Sequence, residues 1–367
     1  MNKQYDYIVI GAGVSGCCIA YELSKISNNI LLIDKLSDVA SGASGAAGAF
    51  LSPLLGKPND FKDLVTKSLK YSTEFYTNNF KEHIHSCGTT RIPKDKIDSE
   101  KFDEYIPYMD FEYSKDNDGY FFEIGSVVDS FNMCKAMTKD IHTKFDYEIN
   151  NIKYENESWI LNDEIQTKNI VVTTGIQMNL LNEFYLNIRP VWGRRIDVET
   201  STRVEHNYHK ACSVSKSTAT FKEDTYLVSI GATHHRDEKE IDNTEADYEN
   251  LLSKASDIIE LENINIVNEY VGARACSVDY FPMVGEVIDS KKTVEEFPYL
   301  KNGTQVDANR FTRYKNLYMI NGVGGRGFVL APYLAKQLIN HIIKDERIDE
   351  NLCVDRLFKR EVRKIKK

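Results

Sequence analysis

Tyr5-Asp6-Tyr7-Ile8-Val9-Ile10-Gly11-Ala12-Gly13-Val14-Ser15-Gly16 is the stretch that decides the fold. Tyr7–Ile10 is a short apolar, β-branched run, the mark of a strand buried on both faces. Gly11 to Gly16 fits G-x-G-x-x-G, and Cys17 to Lys25 reads as the helix that follows. In this spacing Gly11 permits the tight turn, Gly13 lets a pyrophosphate approach the backbone, and Gly16 lets the helix pack on the strand. The helix N-terminus then offers unpaired N–H groups and its positive dipole end to phosphates. A second strand, Asn29–Ile33, ends in Asp34, an acid placed to take a ribose hydroxyl. Together these elements predict an ADP-binding β-α-β unit; the alternative is a glycine turn in an ordinary β-α-β unit.

The 367 residues suffice for about two domains with a sizeable core. No apolar run is long enough to cross a bilayer, and the start of the chain lacks the basic and apolar pattern of a secretory signal, so a cytoplasmic location is expected. Seven cysteines (17, 18, 87, 134, 212, 276, 353) form no C-x-x-C pair and no Cys/His cluster. They read as reduced packing thiols, and no structural metal is expected. The net charge of −9 argues against a protein that coats nucleic acid. Lys359, Arg360, Arg363, Lys364, Lys366 and Lys367 nevertheless form a basic cluster at the end, either a solvated helix terminus or an RNA contact.

Beyond Asp34 and Lys35 lies a run of small residues, Ala40 to Ala49, entering Phe50-Leu51-Ser52-Pro53-Leu54-Leu55. A large flat ligand could lie against such a backbone; a flexible linker is the alternative. Asp60 to Phe80 predicts an amphipathic helix, and 83–122 is irregular, a candidate first excursion into another domain. Ser130 to Lys144 reads as a helix, with strands at Tyr147–Tyr154, Ser158–Leu161 and Asn169–Thr173, the last leaving through Thr174 and Gly175. From Leu186 to Tyr270 strand patterns dominate (Arg189–Val198, Ala211–Ser215, Ala219–Phe221, Tyr226–Ile230), with a late helix, Asp247 to Ile258. Gly272 to Gly285 reads as a turn-rich passage back. Asn316–Asn321 is then a strand, followed by a second glycine loop, Gly322 to Gly327, and a helix, Ala331 to Ile343. The second loop lacks an acidic partner for another ADP, so its helix terminus suits the electron-rich end of a flavin. The expected fold is therefore α/β (α+β): a Rossmann-like FAD/NAD(P)-binding domain with a second, mostly antiparallel β-sheet substrate domain. The expected division is 1–82, 123–187 and 266–367 for the FAD domain and 83–122 and 188–265 for the substrate domain.

These residues resemble the FAD-dependent oxidoreductases of the D-amino-acid oxidase superfamily, which includes glycine and sarcosine oxidases. Within it, the chain is similar to the FAD-dependent half of the bifunctional bacterial enzymes that make 5-methylaminomethyl-2-thiouridine in tRNA. The shared pieces are Ser41–Gly45, Gly48-Ala49, Pro53–Leu55, Arg189–Val191, Gly272–Gly285 and Gly322–Pro332. The resemblance implies noncovalent FAD held by Gly11, Ala12, Gly13, Val14, Ser15, Gly16, Asp34 and Lys35, and by Ser41, Gly42, Ala43, Ser44, Ala47, Gly48 and Ala49. Ile149, Thr174, Gly175, Gly324, Gly325, Arg326, Gly327, Phe328 and Val329 complete the expected cofactor set. It implies oxidation of a C–N bond next to a carboxylate, with Arg274 of the G-x-R turn as the carboxylate anchor, or else as a structural arginine pairing with Asp279. Arg326 either balances charge on reduced flavin or ties its loop together. Cys276 lies near the position of covalent flavin attachment in sarcosine oxidases, but in a different local pattern. His234 and His235 either border the substrate or are ordinary loop histidines. The bifunctional enzymes carry a methyltransferase domain ahead of the flavin domain, and this sequence opens at the flavin domain. Its expected partners are thus tRNA, with or without a separate methyltransferase, or a small free amino acid.

Overall fold

The computed structural model describes residues 4–115, 119–236, 238, 240–241 and 245–365. Its centre is a run of five parallel strands in the order Arg313–Asn321, Ile165–Val172, Gln4–Ile10, Ile30–Ile33 and His142–Lys144. Met283–Ile288 and the hairpin Ile152–Glu155/Ser158–Leu161 extend this sheet antiparallel. The central strands are apolar on both faces because both are covered. One face carries the helices Val14–Ser24, Asp60–Asn79 and Gly327–Lys344 over Val9, Leu32, Val171 and Ile320. The other buries Ile8, Leu31, Ile170 and Met319 with the C-terminal helix Asp355–Glu361.

The second large unit is a ten-stranded, mostly antiparallel sheet. Its spine is Ile188–Thr200 paired with Asn265–Ser277, from Ile188 opposite Ser277 to Glu199 opposite Asn265. The helix Glu245–Ser256 covers one face through Leu251 and Ala255, against Ile196, Val198, Val228 and Ile230. Within 83–122, Ile84–Ser86 joins a three-stranded sheet with Phe50–Leu51 and Ser126–Val128, whereas Thr89–Arg91, Ser114–Lys115 and Tyr120–Phe122 join the ten-stranded sheet.

The structure departs from the sequence expectations at three places. The helix from Ser130 ends at Thr138, whose hydroxyl turns back onto Cys134 O (2.9 Å), and His142–Lys144 instead pairs with Leu31–Ile33. An otherwise open edge of the parallel sheet outweighs local helix propensity there. Tyr147–Glu148 precede the strand, which starts at Ile152. Gly272–Ser277 is the end of a long strand in the ten-stranded sheet, beyond the expected boundary at 266. Its small residues, which read as a turn, reflect close packing: a Cβ on Gly272 would lie 2.8 Å from Ala43 Cα and from Ala46 Cβ.

The helix Gly327–Lys344 contains Pro332. Having no N–H, Pro332 cannot bond the carbonyl four residues back. That carbonyl, of Phe328, accepts instead from Tyr76 Oη (3.1 Å), and Ser72 Oγ donates to Val329 O. Tyr76 is fully buried. Tyr76→Phe should therefore leave a buried carbonyl unpaired and lower unfolding free energy by about 1–3 kcal/mol in urea denaturation, with the slope of the transition unchanged.

Candidate active site between the two sheets

Four parallel strands deliver their C-terminal ends to one edge. Beyond Ile10 lies Gly11, beyond Ile33 Asp34, beyond Val172 Thr173, and beyond Asn321 Gly322. Gly11 has φ +108°, and a Cβ there would sit 2.5 Å from Thr173 O; one on Gly16 would lie 1.8 Å from Gly11 O. The tight turn and the close helix approach read from the fingerprint are thus steric requirements. Thr173 Oγ1 donates to Gly11 O at 2.8 Å and locks the turn.

These ends border a cavity of about 1050 Å³, closed on its other side by the ten-stranded sheet. Its volume lies at the top of the roughly 300–1,000 Å³ range usual for ligand pockets. Both glycine loops face it, through Gly11, Gly13, Val14 and Ser15 on one side and Gly324, Gly325, Arg326, Gly327 and Phe328 on the other. Lys35, Ser41, Gly42, Ala43, Ser44, Ala47, Gly48, Ala49, Ile149, Thr174 and Gly175 also line it. Three residues of the expected set lie behind the wall. Ala12 is buried and donates its N–H to Asp34 Oδ2 at 2.6 Å, Gly16 packs on Gly11, and Val329 is in the helix core under Ser72.

Asp34 borders the cavity while also accepting from Leu36 N at 2.8 Å. A carboxylate offers about four lone-pair sites, so the ribose role predicted for it fits. The small-residue segment is a fixed wall and not a linker: Val14 N donates to Ser44 Oγ at 2.9 Å, and Arg195 Nη1 donates to Ala47 O at 2.8 Å.

Arg274 projects from the end of its long strand into the cavity. Its Nη1 meets only backbone carbonyls, Thr233 O at 3.2 Å and Trp192 O at 3.4 Å. Gly193 makes room for it, since a Cβ there would stand 2.4 Å from Nη1. Asp279 is engaged elsewhere, by Arg356 at 2.9 and 3.1 Å, so the expected alternative pairing does not form. Burial lowers the pKa of Arg274. Arg326 is lowered for the same reason, and among the described residues its side chain makes no hydrogen bond or ion pair that would tie the loop. The two histidines separate. His234 lines the cavity with a pKa pushed down to about 4 by desolvation and by the charge of Arg274, whereas His235 Nε2 turns to Asp247 at 3.0 Å. Cys276 also lines the cavity, its Sγ beside the second glycine loop and its thiol pKa raised by burial.

Two residues were not singled out from the sequence. Arg91 and His209 are register partners on the parallel strands Thr89–Arg91 and Asn207–His209, and both reach the cavity. Burial lowers the Arg91 pKa to about 9, helped by the charge of Arg326. His209 is held well below its usual range by burial and then by Arg91, and its Nδ1 contacts Ser213 Oγ at 2.7 Å. No sequence signal marks either residue, because only strand pairing brings them here. Among the described residues no group of three or more His, Cys, Asp or Glu could hold a metal, and no helix is long and apolar enough to cross a membrane. Lys359 to Lys364 lie on the last helix and the turn after it, while Lys366 and Lys367 fall outside the described residues.

A dinucleotide cradle facing a cavity with basic walls defines a flavoenzyme of the amine-oxidising type of architecture. The chain belongs to the FAD dependent oxidoreductase family (DAO), whose model matches residues 6–340. Its cofactor is FAD, and the glycine turns, Asp34 and the small-residue wall fit that group. Among curated relatives, the tRNA 5-methylaminomethyl-2-thiouridine biosynthesis bifunctional protein MnmC of Campylobacter fetus subsp. fetus (strain 82-40) is 22% identical over 358 residues, 93% of this chain and 56% of that protein. The MnmC of Legionella pneumophila (strain Lens) is 22% identical over 94% of this chain and 55% of its own length. The chain thus spans about half the length of these relatives. Among solved structures, glycine oxidase from Geobacillus kaustophilus superposes with TM-score 0.74 at 16% identity, covering 94% of this chain and 96% of that one. L-proline dehydrogenase from P. horikoshii gives 0.70 at 14% identity, covering 99% of each chain. Both likenesses concern the fold.

Two outcomes are expected. Acid precipitation should leave the yellow colour in the supernatant, since burial holds the Cys276 thiol up against the opposing pull of Arg274 and Arg236; colour in the pellet would mean covalent attachment. His209 and His234 have folded pKa values below their unfolded ones, so between those values the unfolded chain binds more protons. Their stabilising contribution is complete above about 6.5 and is lost as pH falls below it, for His234 toward about 4. Urea titrations at pH 7 and pH 5 should show wild type losing stability on acidification, and His209→Gln losing less.

Proposed function

We propose that this chain oxidises the C–N bond of a glycine-like secondary amine, and that the amine is the carboxymethylaminomethyl group of a tRNA wobble uridine. The observation that carries the reading is Arg274, a guanidinium on the cavity wall beside the second glycine loop with no acidic partner among the described residues. A carboxylate on its free donors would form paired charge-assisted hydrogen bonds and fix the neighbouring α-carbon in the cavity. Bound FAD supplies the hydride acceptor. Loss of a hydride from the α-carbon and of the amine proton leaves a C=N bond, which water splits into glyoxylate and the aminomethyl group. His234 stays neutral near pH 7, so it adds no further positive charge to the cavity.

The tRNA assignment is supported by the names of relatives that align with over nine-tenths of this chain. On this reading the work is cytoplasmic, and the aminomethyl product is the substrate for a methyltransferase. The acidic balance of the chain, −9, favours a second reading, oxidation of a small free amino acid such as glycine, sarcosine or a D-amino acid.

Deleting the gene should make carboxymethylaminomethyluridine accumulate in wobble nucleosides measured by mass spectrometry. An unchanged nucleoside profile, with anaerobic bleaching of the flavin by glycine or sarcosine, would decide for the free amino acid. In either case Arg274→Ala should cost about 2–4 kcal/mol in kcat/KM. Unchanged kinetics would remove Arg274 from the site.

A further inference from the structure

Three guanidiniums, those of Arg91, Arg274 and Arg326, border one cavity, and none forms an ion pair with a described residue. Buried cations without a counter-charge are costly, and a protein that places three together is built for anions. Arg274 is accounted for by a carboxylate next to the reacting amine. Arg91 is not. It stands on a different strand of the same ten-stranded sheet, opposite His209, and one of its donors is used, Nη1 to Pro53 O at 2.8 Å. Its Nε is buried with no partner, which leaves the Nε–Nη2 edge of the fork uncommitted. That edge is the one with which arginine grips a carboxylate or a phosphate through two parallel bonds. The repulsion Arg91 feels from Arg326 outweighs the attraction from Asp98, so the protein itself does not neutralise it. His209, with Nδ1 against Ser213, adds a hydrogen-bonding ring beside it.

We propose that Arg91, with Arg326 and His209 beside it, forms a second anion subsite, so that the substrate bears two acidic groups. One is the carboxylate next to the amine, on Arg274; the other is a carboxylate or phosphate on the far side of the amine, on Arg91. This rests on the amine-oxidation reading above and narrows it to a dianionic substrate: an N-substituted amino acid with a second carboxylate, or a nucleotide whose phosphate enters with the modified base. A substrate with one carboxylate, such as sarcosine, would leave Arg91 uncompensated.

The test is equilibrium binding to the FAD-loaded full chain, read from the shift of the visible flavin spectrum, with ether analogues that have no amine to oxidise. Methoxyacetate carries one carboxylate, oxydiacetate two, and (phosphonomethoxy)acetate one carboxylate and one phosphonate. Wild type is expected to bind at least one dianion about tenfold or more tighter than methoxyacetate. The tighter of the two dianions identifies carboxylate or phosphate as the natural second group. Arg91→Gln should abolish the preference while leaving methoxyacetate affinity within about twofold. Arg91→Lys, which keeps the charge and loses the fork, should retain only part of it, and serves if the glutamine variant does not fold. Equal binding of all three analogues to wild type, or an undiminished preference in the folded variant, overturns the second subsite. Failure of the preceding reading looks different: methoxyacetate would then bind no more weakly to Arg274→Gln than to wild type.

Discussion

Parallel strand register is the constraint on which the site depends. Because Ile10, Ile33 and Val172 are aligned across neighbouring strands, the loops that follow them leave at one level of one edge. The ladder continues a residue further, through Gly11 N to Ile33 O at 2.7 Å and Thr173 N to Ile10 O at 2.8 Å. Antiparallel pairing would send alternate loops to opposite ends; parallel pairing gathers them at the carboxyl edge, where open α/β sheets bind ligands. The second glycine loop reaches the same edge because Arg313–Asn321 pairs in parallel with Ile165–Val172. Two segments from opposite ends of the chain therefore face one cavity.

The helices and the small-residue wall hold that edge in place by filling otherwise unpaired positions. Tyr76 takes the carbonyl that Pro332 frees, which ties the helix after the second loop to the helix Asp60–Asn79. Ser44 takes the Val14 N–H, and Arg195 reaches from the ten-stranded sheet to Ala47 O. Gly272 and Ala43 meet so closely that no larger side chain fits between them. The last two contacts cross from the ten-stranded sheet to the small-residue segment, so the two sides of the cavity are positioned against one another by a polar bond and close packing.

The electrostatics of the cavity run opposite to those of the whole chain. A protein of net charge −9 presents three guanidiniums and two neutral histidines to its interior space. Net charge governs solubility and encounter at a distance, while a buried site responds to the few groups within several ångströms. An acidic exterior is thus compatible with a site selective for anions.

The β-α-β unit, the second glycine loop and the flavin were legible from residues in order, because the left-handed φ at Gly11 and the contact of Gly16 with Gly11 O are local to the turn, although the steric wall against Gly11 comes from distant Thr173. Arg274 was legible through the motif around it. Other features depended on pairing between distant segments. His142–Lys144 became a strand to close a sheet edge, and Gly272–Ser277 extended a strand because Ile188–Gly193 lay beside it. Arg91 and His209 carry no local signature, being ordinary residues at strand ends until parallel pairing set them side by side over the cavity. Local backbone geometry is written in neighbouring residues, whereas the charge inside a cavity is the sum of side chains that only the folded topology brings together.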